Sequence, residues 1–213
     1  MVRERANTVS THEWNLLNQA VEEKLGELIE VSQGGTGVPS IRNGDPAPLT
    51  GEWRTIFTTL PLLNQQCTIG ELMTARKSPI EEHAHSLTVD SVRQIIRCPS
   101  GSNLKQISYD NVVEFSYDTG DGNRIPGTLL TKGFADISPT DPCTLDVVFY
   151  AQHCCCRDDK DEEVFTRLSG LPTPHHIAQQ IKSKSTVAYL DDDLRIMKGG
   201  RGNLYILEKI WGS

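Results

Sequence analysis

Histidine and cysteine are the residue types of this 213-residue chain best suited to holding a metal. His83 and His85 would share one face of a strand, and His153 precedes the triplet Cys154 to Cys156. Imidazoles and thiolates can build a tetrahedral zinc site. However, the sequence has no Cys-x-x-Cys pair or comparably tight ligand spacing. The pattern favours surface histidines and cysteines packed as small apolar side chains, with no metal and no cofactor.

Motifs for nucleophilic catalysis and phosphate binding are also missing from the sequence. It contains no Gly-x-Ser-x-Gly elbow, and the glycine-rich residues 34–37 lack the Lys-Ser/Thr of a phosphate loop. One enzyme hypothesis stays open, in which His153 acts on a lipid or pigment because alternation places it on the inward face with Ala151. The leading interpretation is a protein that is not an enzyme.

Composition narrows the classes of partner. The formal net charge is −7 and the 21 basic residues are scattered, which argues against nucleic acid. No apolar run approaches the ~20 residues that span a bilayer. The N-terminal sequence has the pattern of neither a secretory signal nor a transit leader, so a cytoplasmic location stays open. Three adjacent cysteines do not suit a disulfide framework, because neighbours in a strand point to opposite faces, and a reducing compartment is expected.

The elements that would position these residues begin with an amphipathic helix. Ser10 and Glu13 form a capping box, and an apolar stripe follows it at helical spacing. The stripe consists of Trp14, Leu17, Val21, Leu25 and Leu28. Glycines and prolines then keep the chain extended. We predict a helix and linker over residues 1–48, packed on the mouth or side of a β domain over residues 49–213. The acidic polar face of the helix argues against a membrane-surface helix.

The second part of the chain has the pattern of an antiparallel sheet. Strands are predicted over residues 51–59, 112–117 and 144–154, and more loosely within 66–106. Along the third strand, Leu145, Val147, Phe149 and Ala151 would share the buried face. A short helix is predicted from Thr173 to about Ser183, before three closing strands.

Two turns separate the closing strands. Three consecutive aspartates form the first turn and a Gly-Gly-Arg-Gly-Asn group forms the second. A meander of this kind can close a mainly β barrel. The first and last strands would then be neighbours, with Trp53 plugging one end and Arg195 or Lys209 reaching its indole ring.

These residues carry a resemblance to the plastid lipid-associated protein (PAP/fibrillin) family. Leu49 to Thr59 resembles its opening motif, a Gly-x-Trp followed by aromatic-Thr-Thr, and Tyr189 to Leu207 resembles its closing Tyr-Leu-Asp-x-Asp-Leu-Arg-Ile motif and glycine turn. The resemblance is clear over about a third of the chain. It implies a lipocalin-like (calycin) antiparallel β-barrel with an N-terminal amphipathic helix. It also implies association with plastids or cyanobacterial thylakoids.

The resemblance further implies that the barrel binds or carries a lipophilic small molecule, such as a prenylquinone, a carotenoid or a fatty acid. We expect Arg195 to stack near Trp53 or to meet a polar ligand head, with Asp191, Asp193 and Gly199 in structural roles. The predicted ligand-binding residues are Trp53, Phe57, Phe149, Tyr189, Arg195 and Tyr205. A membrane or lipid-globule surface is a further expected partner.

A second functional class stays open beside lipid binding. In that alternative, side chains fill the barrel, and the protein serves as an interaction or scaffold module. The N-terminal helix would then dock a protein partner.

Overall fold

The computed structural model describes residues 19–21, 23, 24, 27, 41, 45–60, 63, 66–74, 86–98, 106–169 and 180–210. The chain divides into two compact units, Met1–Gly37 and Val38–Ser213. In the first unit the described residues are helical, and Lys24 Nζ lies 2.8 Å from a Glu27 carboxylate oxygen, one turn away. The rest of the predicted amphipathic helix lies outside the described residues.

The second unit is built on eight antiparallel strands in one sheet. They are β1 (Gly51–Thr58), β2 (Leu87–Arg97), β3 (Ile107–Asp118), β4 (Arg124–Ile137), β5 (Thr144–Cys156), β6 (Ile181–Leu190), β7 (Leu194–Gly199) and β8 (Leu204–Ile210). Each strand pairs with the next, and β8 pairs with β1, so the sheet closes in a ring. Trp53 stands directly opposite Lys209 across that closing pair. The mainly β, antiparallel prediction is confirmed.

Two of the turns have the predicted chemistry. Between β6 and β7, the Asp191 carboxylate accepts hydrogen bonds from the backbone N–H groups of Asp193 and Leu194, at 2.9 and 2.6 Å. Between β7 and β8, Gly202 has a φ of +85°, a conformation that residues with a Cβ rarely adopt. Local side-chain and backbone preferences therefore define both closing hairpins.

Short helices accompany the strands. A 3-10 turn, Ala47–Leu49, precedes β1, helix α1 (Ile69–Thr74) follows β1, and helix α2 (Asp159–Ser169) follows β5. Acidic residues in the first turn of α2 and Arg167 in its last turn complement the helix dipole. Among the described helices, none combines the length and apolar character that a bilayer crossing requires.

Two predictions about helices differ from the structure. The helix predicted to end near Ser183 is wrong at its end, because Ile181–Leu190 is strand β6; its residues 173–179 lie outside the described chain. The preceding acidic segment, for which no helix was predicted, forms helix α2. In addition, the region interpreted loosely as strands from residue 66 contains helix α1.

Four β-bulges interrupt the alternation of the strands. The extra residues are Ile56 in β1, Asp90 in β2, Tyr150 in β5 and Ala188 in β6. Because a bulge inserts one residue into a two-residue period, side chains beyond it change face.

Within the described ranges, buried apolar side chains form two clusters. The first cluster contains Trp53, Leu49 and Ile96 together with residues of β3 to β8. The second contains Phe115, Tyr117 and Leu129, covered by residues of α1 and by Phe165 of α2. The first cluster lies on Trp53 and the second on the two helices, so the core has two distinct apolar parts.

Candidate functional site

Trp53 is the anchor of the inner face. Its side chain has no solvent exposure, and its indole Nε1 donates a 2.9 Å hydrogen bond to the carbonyl of Leu49 in the 3-10 turn. Two cations approach the ring. The Arg195 guanidinium carbon is 4.8 Å and the Lys209 Nζ is 5.2 Å from the ring centroid, within cation–π range. The expected stacking of Arg195 near Trp53 is observed.

Arg195 is a fully buried cation. Its cross-strand partners are Leu190 and Leu207, and only 1% of the residue is exposed. Nη2 donates to the side-chain oxygen of Gln94, whereas Nε has no hydrogen-bond acceptor among the described residues. Burial lowers the pKa of Arg195 to about 10, although Tyr109 opposes the shift, so the group stays charged at neutral pH.

A row of polar side chains crosses the inner face next to Trp53. Cross-strand pairing links Trp53 of β1 to Gln94, Gln94 to Asn111, Asn111 to Thr131 and Thr131 to Gln152 of β5. Directly paired residues share a face of the sheet, so these side chains lie side by side. We call Gln94, Asn111, Thr131 and Gln152 the polar row.

The polar row is held by hydrogen bonds. Gln94 Nε2 donates to Asn111 Oδ1 at 3.0 Å. Gln152 Nε2 donates to the Met73 carbonyl of α1 at 3.0 Å and to Thr131 Oγ1 at 3.3 Å. Gln94 is therefore shared between the polar row and the guanidinium of Arg195.

A tyrosine connects strands that are not neighbours. The hydroxyl of Tyr109, on β3, donates to Ser185 Oγ on β6 at 3.3 Å, so the contact crosses the inside of the ring. Burial raises the pKa of Tyr109. Its ring meets Phe149 edge to face at a centroid distance of 6.2 Å.

The acidic side chains of the strands all lie on the outer face of the sheet. On the outer face, Arg93 bridges Glu52 and Glu114 at 2.5 and 2.9 Å, and Arg54 pairs with Glu208. Following the pairing register through the four bulges puts no Asp or Glu on the inner face of any of the eight strands. The inner face of the sheet therefore carries positive charge only.

The structure divides the predicted ligand-binding residues between the two faces. Trp53, Phe149, Arg195 and Tyr205 lie on the inner face, and burial raises the pKa of Tyr205 to about 12. Phe57 is not with them. It follows the bulge at Ile56 and pairs with Ile206 on the outer face.

Tyr189 and His153 are displaced in the same way. Tyr189 follows the bulge at Ala188 and pairs with Ile196 on the outer face. Its hydroxyl donates a 2.6 Å hydrogen bond to the Asp191 carboxylate. The expectation that Tyr189 lines the interior is therefore wrong. The prediction that His153 faces inward is wrong, because the bulge at Tyr150 turns Gln152 and Cys154 inward instead.

The histidines and cysteines considered as metal ligands do not come together in the described part of the structure. His83 and His85 lie outside the described residues. Across the described ranges, no three His, Cys, Asp or Glu side chains are close enough to hold a metal ion. All six cysteines are free, and within the triplet Cys154 and Cys156 face inward while Cys155 faces outward.

Sequence reasoning missed the polar row and Tyr109. The available signal was a polar residue at an apolar phase of a strand, such as Gln94 between Val92 and Ile96. This signal can be used only if the bounds of strand β2 are known, and the sequence did not define them.

Comparison with known proteins identifies a family for this chain. A family model described as PAP_fibrillin matches residues 19–208. No curated protein and no solved structure matches the chain significantly.

Proposed function

Because this chain belongs to the PAP/fibrillin family, we propose that it binds a lipophilic small molecule inside the closed sheet. The family is lipid-associated and plastid-associated, and it is not known as an enzymatic family. In this proposal the ring is a lipocalin-like barrel, and the ligand is a prenylquinone, a carotenoid or a fatty-acid-like molecule. Trp53, Phe149, Arg195 and Tyr205 are its contacts, and the plastid is its location.

The observation that supports this proposal is that several residues on the inner face keep part of their surface exposed. Asn111 and Thr131 of the polar row are only half-buried, although they point into a closed ring. Phe149 and Tyr205 are half-buried as well. In our proposal this exposed area is where the ligand packs. An apolar cavity with a few polar groups suits a greasy ligand with one polar end.

Native mass spectrometry of freshly purified protein tests the proposal directly. We expect a lipophilic passenger, and we expect the delipidated protein to bind oleic acid, a prenylquinone or a carotenoid in titration. Protein that is purified without a passenger and binds none of the three compounds would contradict the proposal.

A matched pair of variants on β4 locates the site. Thr131→Phe fills the space beside the polar row, and Thr128→Phe places the same ring on the outer face, opposite Glu114 and Cys155. We expect at least about tenfold weaker binding for the first variant and unchanged binding for the second, with circular dichroism confirming that both fold. Equal affinities would place the ligand elsewhere.

The packing of two apolar clusters favours a second candidate, an interaction module whose partner docks on the N-terminal helix. Residues 1–37 form a separate compact unit, so deleting them should leave the closed sheet folded. Under this alternative the deletion abolishes partner capture. Under the lipid-binding proposal it leaves ligand affinity unchanged.

A further inference from the structure

Arg195 has no counter-ion among the described residues. The ion pairs there involve other cations, and every Asp or Glu of the eight strands lies on the outer face. The described hydrogen-bond partner of the guanidinium is the neutral amide of Gln94. A buried charge without a partner is costly, and an arginine does not escape that cost by losing its proton.

The surroundings of Arg195 suit an oxygen anion. Nε–H lacks an acceptor, and the polar row and the hydroxyls of Tyr109 and Ser185 supply further hydrogen-bonding groups inside the ring. A guanidinium and a carboxylate form charge-assisted hydrogen bonds that are stronger than neutral ones. Lys209 also reaches the Trp53 ring from the inner face, but Arg195 is the fully buried cation of the two, and one carboxylate suffices to neutralise it.

We propose that the ligand of this site is a long-chain carboxylate whose head group serves as the counter-ion of Arg195, next to the polar row. This inference rests on the proposed function and narrows it to anionic amphiphiles. The hydrocarbon tail then lies along the apolar inner face near Phe149 and Tyr205. The carboxylate neutralises the guanidinium, and no bond is made or broken.

The test compares three ligands with the same hydrocarbon chain: oleic acid, oleyl alcohol and methyl oleate. Their dissociation constants for the delipidated full chain are measured by calorimetric titration at pH 7.5. We expect oleate to bind about tenfold or more tightly than the two neutral compounds, the size of one charge-assisted hydrogen bond. The advantage should shrink as the pH falls towards the carboxylic acid pKa, near 4–5.

Two variants assign the preference to Arg195. Arg195→Gln removes the charge and should abolish the preference for oleate, whereas Arg195→Lys should keep part of it. The control, Arg54→Gln, removes an outer-face cation paired with Glu208 and should change nothing. If Arg195→Gln does not fold, the test uses Arg195→Lys and the wild type. An Arg195→Lys protein that folds but has no preference for oleate over the neutral compounds contradicts the assignment to Arg195.

The outcomes separate this inference from the proposed function. Equal binding of the acid and the alcohol overturns the inference but leaves lipid binding intact. Failure of all three compounds, together with a prenylquinone and a carotenoid, overturns both. A folded Arg195→Gln variant that still prefers oleate overturns the role of Arg195.

Discussion

Replacing Gly127 by alanine tests the packing of the second cluster. A Cβ built on Gly127 would lie 2.4 Å from Phe115 Cζ and 2.5 Å from Cε2, whereas ordinary contact begins at 3.4 Å. The Phe115 ring must therefore retreat by about 1 Å in a close-packed core. The Phe115 ring is also packed against Phe165, whose ring centroid is 5.9 Å from its own and which has no exposure to solvent.

We place the cost at the upper end of the usual range for overpacking, about 3 kcal/mol. For a chain of this size that corresponds to a fall in Tm of about 6–12 °C, measured by differential scanning calorimetry. The matched control is Gly70→Ala in α1, where the nearest atom to the new Cβ is Thr68 Oγ1 at 4.0 Å. Because alanine is the better helix former, the control should be neutral or up to about 1 kcal/mol more stable.

A double-mutant cycle identifies the clash. In the Gly127→Ala background, Phe115→Leu removes the ring that the new methyl group meets, so the double variant should lose less stability than the sum of the two single variants. Strict additivity would refute the contact. A Gly127→Ala protein that melts within a degree of the wild type would refute the packing argument altogether.

Three further predictions concern single groups. Trp53→Phe removes the indole donor to a buried carbonyl and should cost about 1–3 kcal/mol in urea unfolding, whereas no loss would contradict that hydrogen bond. Burial raises the pKa of Cys154 to about 12, so iodoacetamide at pH 8 should modify exposed Cys155 first, as tandem mass spectrometry can show. The Ser91 hydroxyl lowers the pKa of Glu114, so protonation favours the unfolded chain. That contribution is complete above the unfolded pKa of about 4.3 and is lost as the pH falls through the folded value, and Glu114→Gln should therefore flatten the acid limb of the stability curve.

The sequence predicted features that depend on local chemistry. Aspartates that bond backbone N–H groups, and a glycine that adopts a positive φ, act within a few residues, so the turns after β6 and β7 could be placed in advance. The contact between Trp53 and the closing strands was also predicted, because a closed sheet makes its first and last strands neighbours. The resemblance at the two ends of the chain pointed to the same closure.

The site was only partly predictable because side-chain direction depends on register. Phe57, Tyr189 and His153 each follow a bulge, and nothing in the sequence alternation marks Ile56, Tyr150 or Ala188 as an inserted residue. Every residue beyond a bulge in the same strand then points to the face opposite to the one that simple alternation assigns to it. Trp53 precedes the bulge of β1, and Arg195 lies in β7, which has no inserted residue. Their faces were therefore assigned correctly.

The polar row could not be predicted, because it depends on how different strands pair. Gln94, Asn111, Thr131 and Gln152 come from four strands, and they become neighbours only through pairing that no single strand encodes. Each residue taken alone is an ordinary polar residue in a β segment. That the four residues form one row can be recognised only once the register between the strands is known.

Net charge is a poor guide to ligand charge when a sheet closes. A chain with a net charge of −7 would be expected to repel anions. Closure separates two populations of charge: the strand carboxylates stay outside in ion pairs or in water, whereas Arg195 is enclosed. Interactions across a low-dielectric interior are stronger than those screened by salt at the surface. If a ligand occupies the inside of the closed sheet as we propose, the enclosed guanidinium dominates the field at its head group, and an acidic protein would then select an acidic lipid.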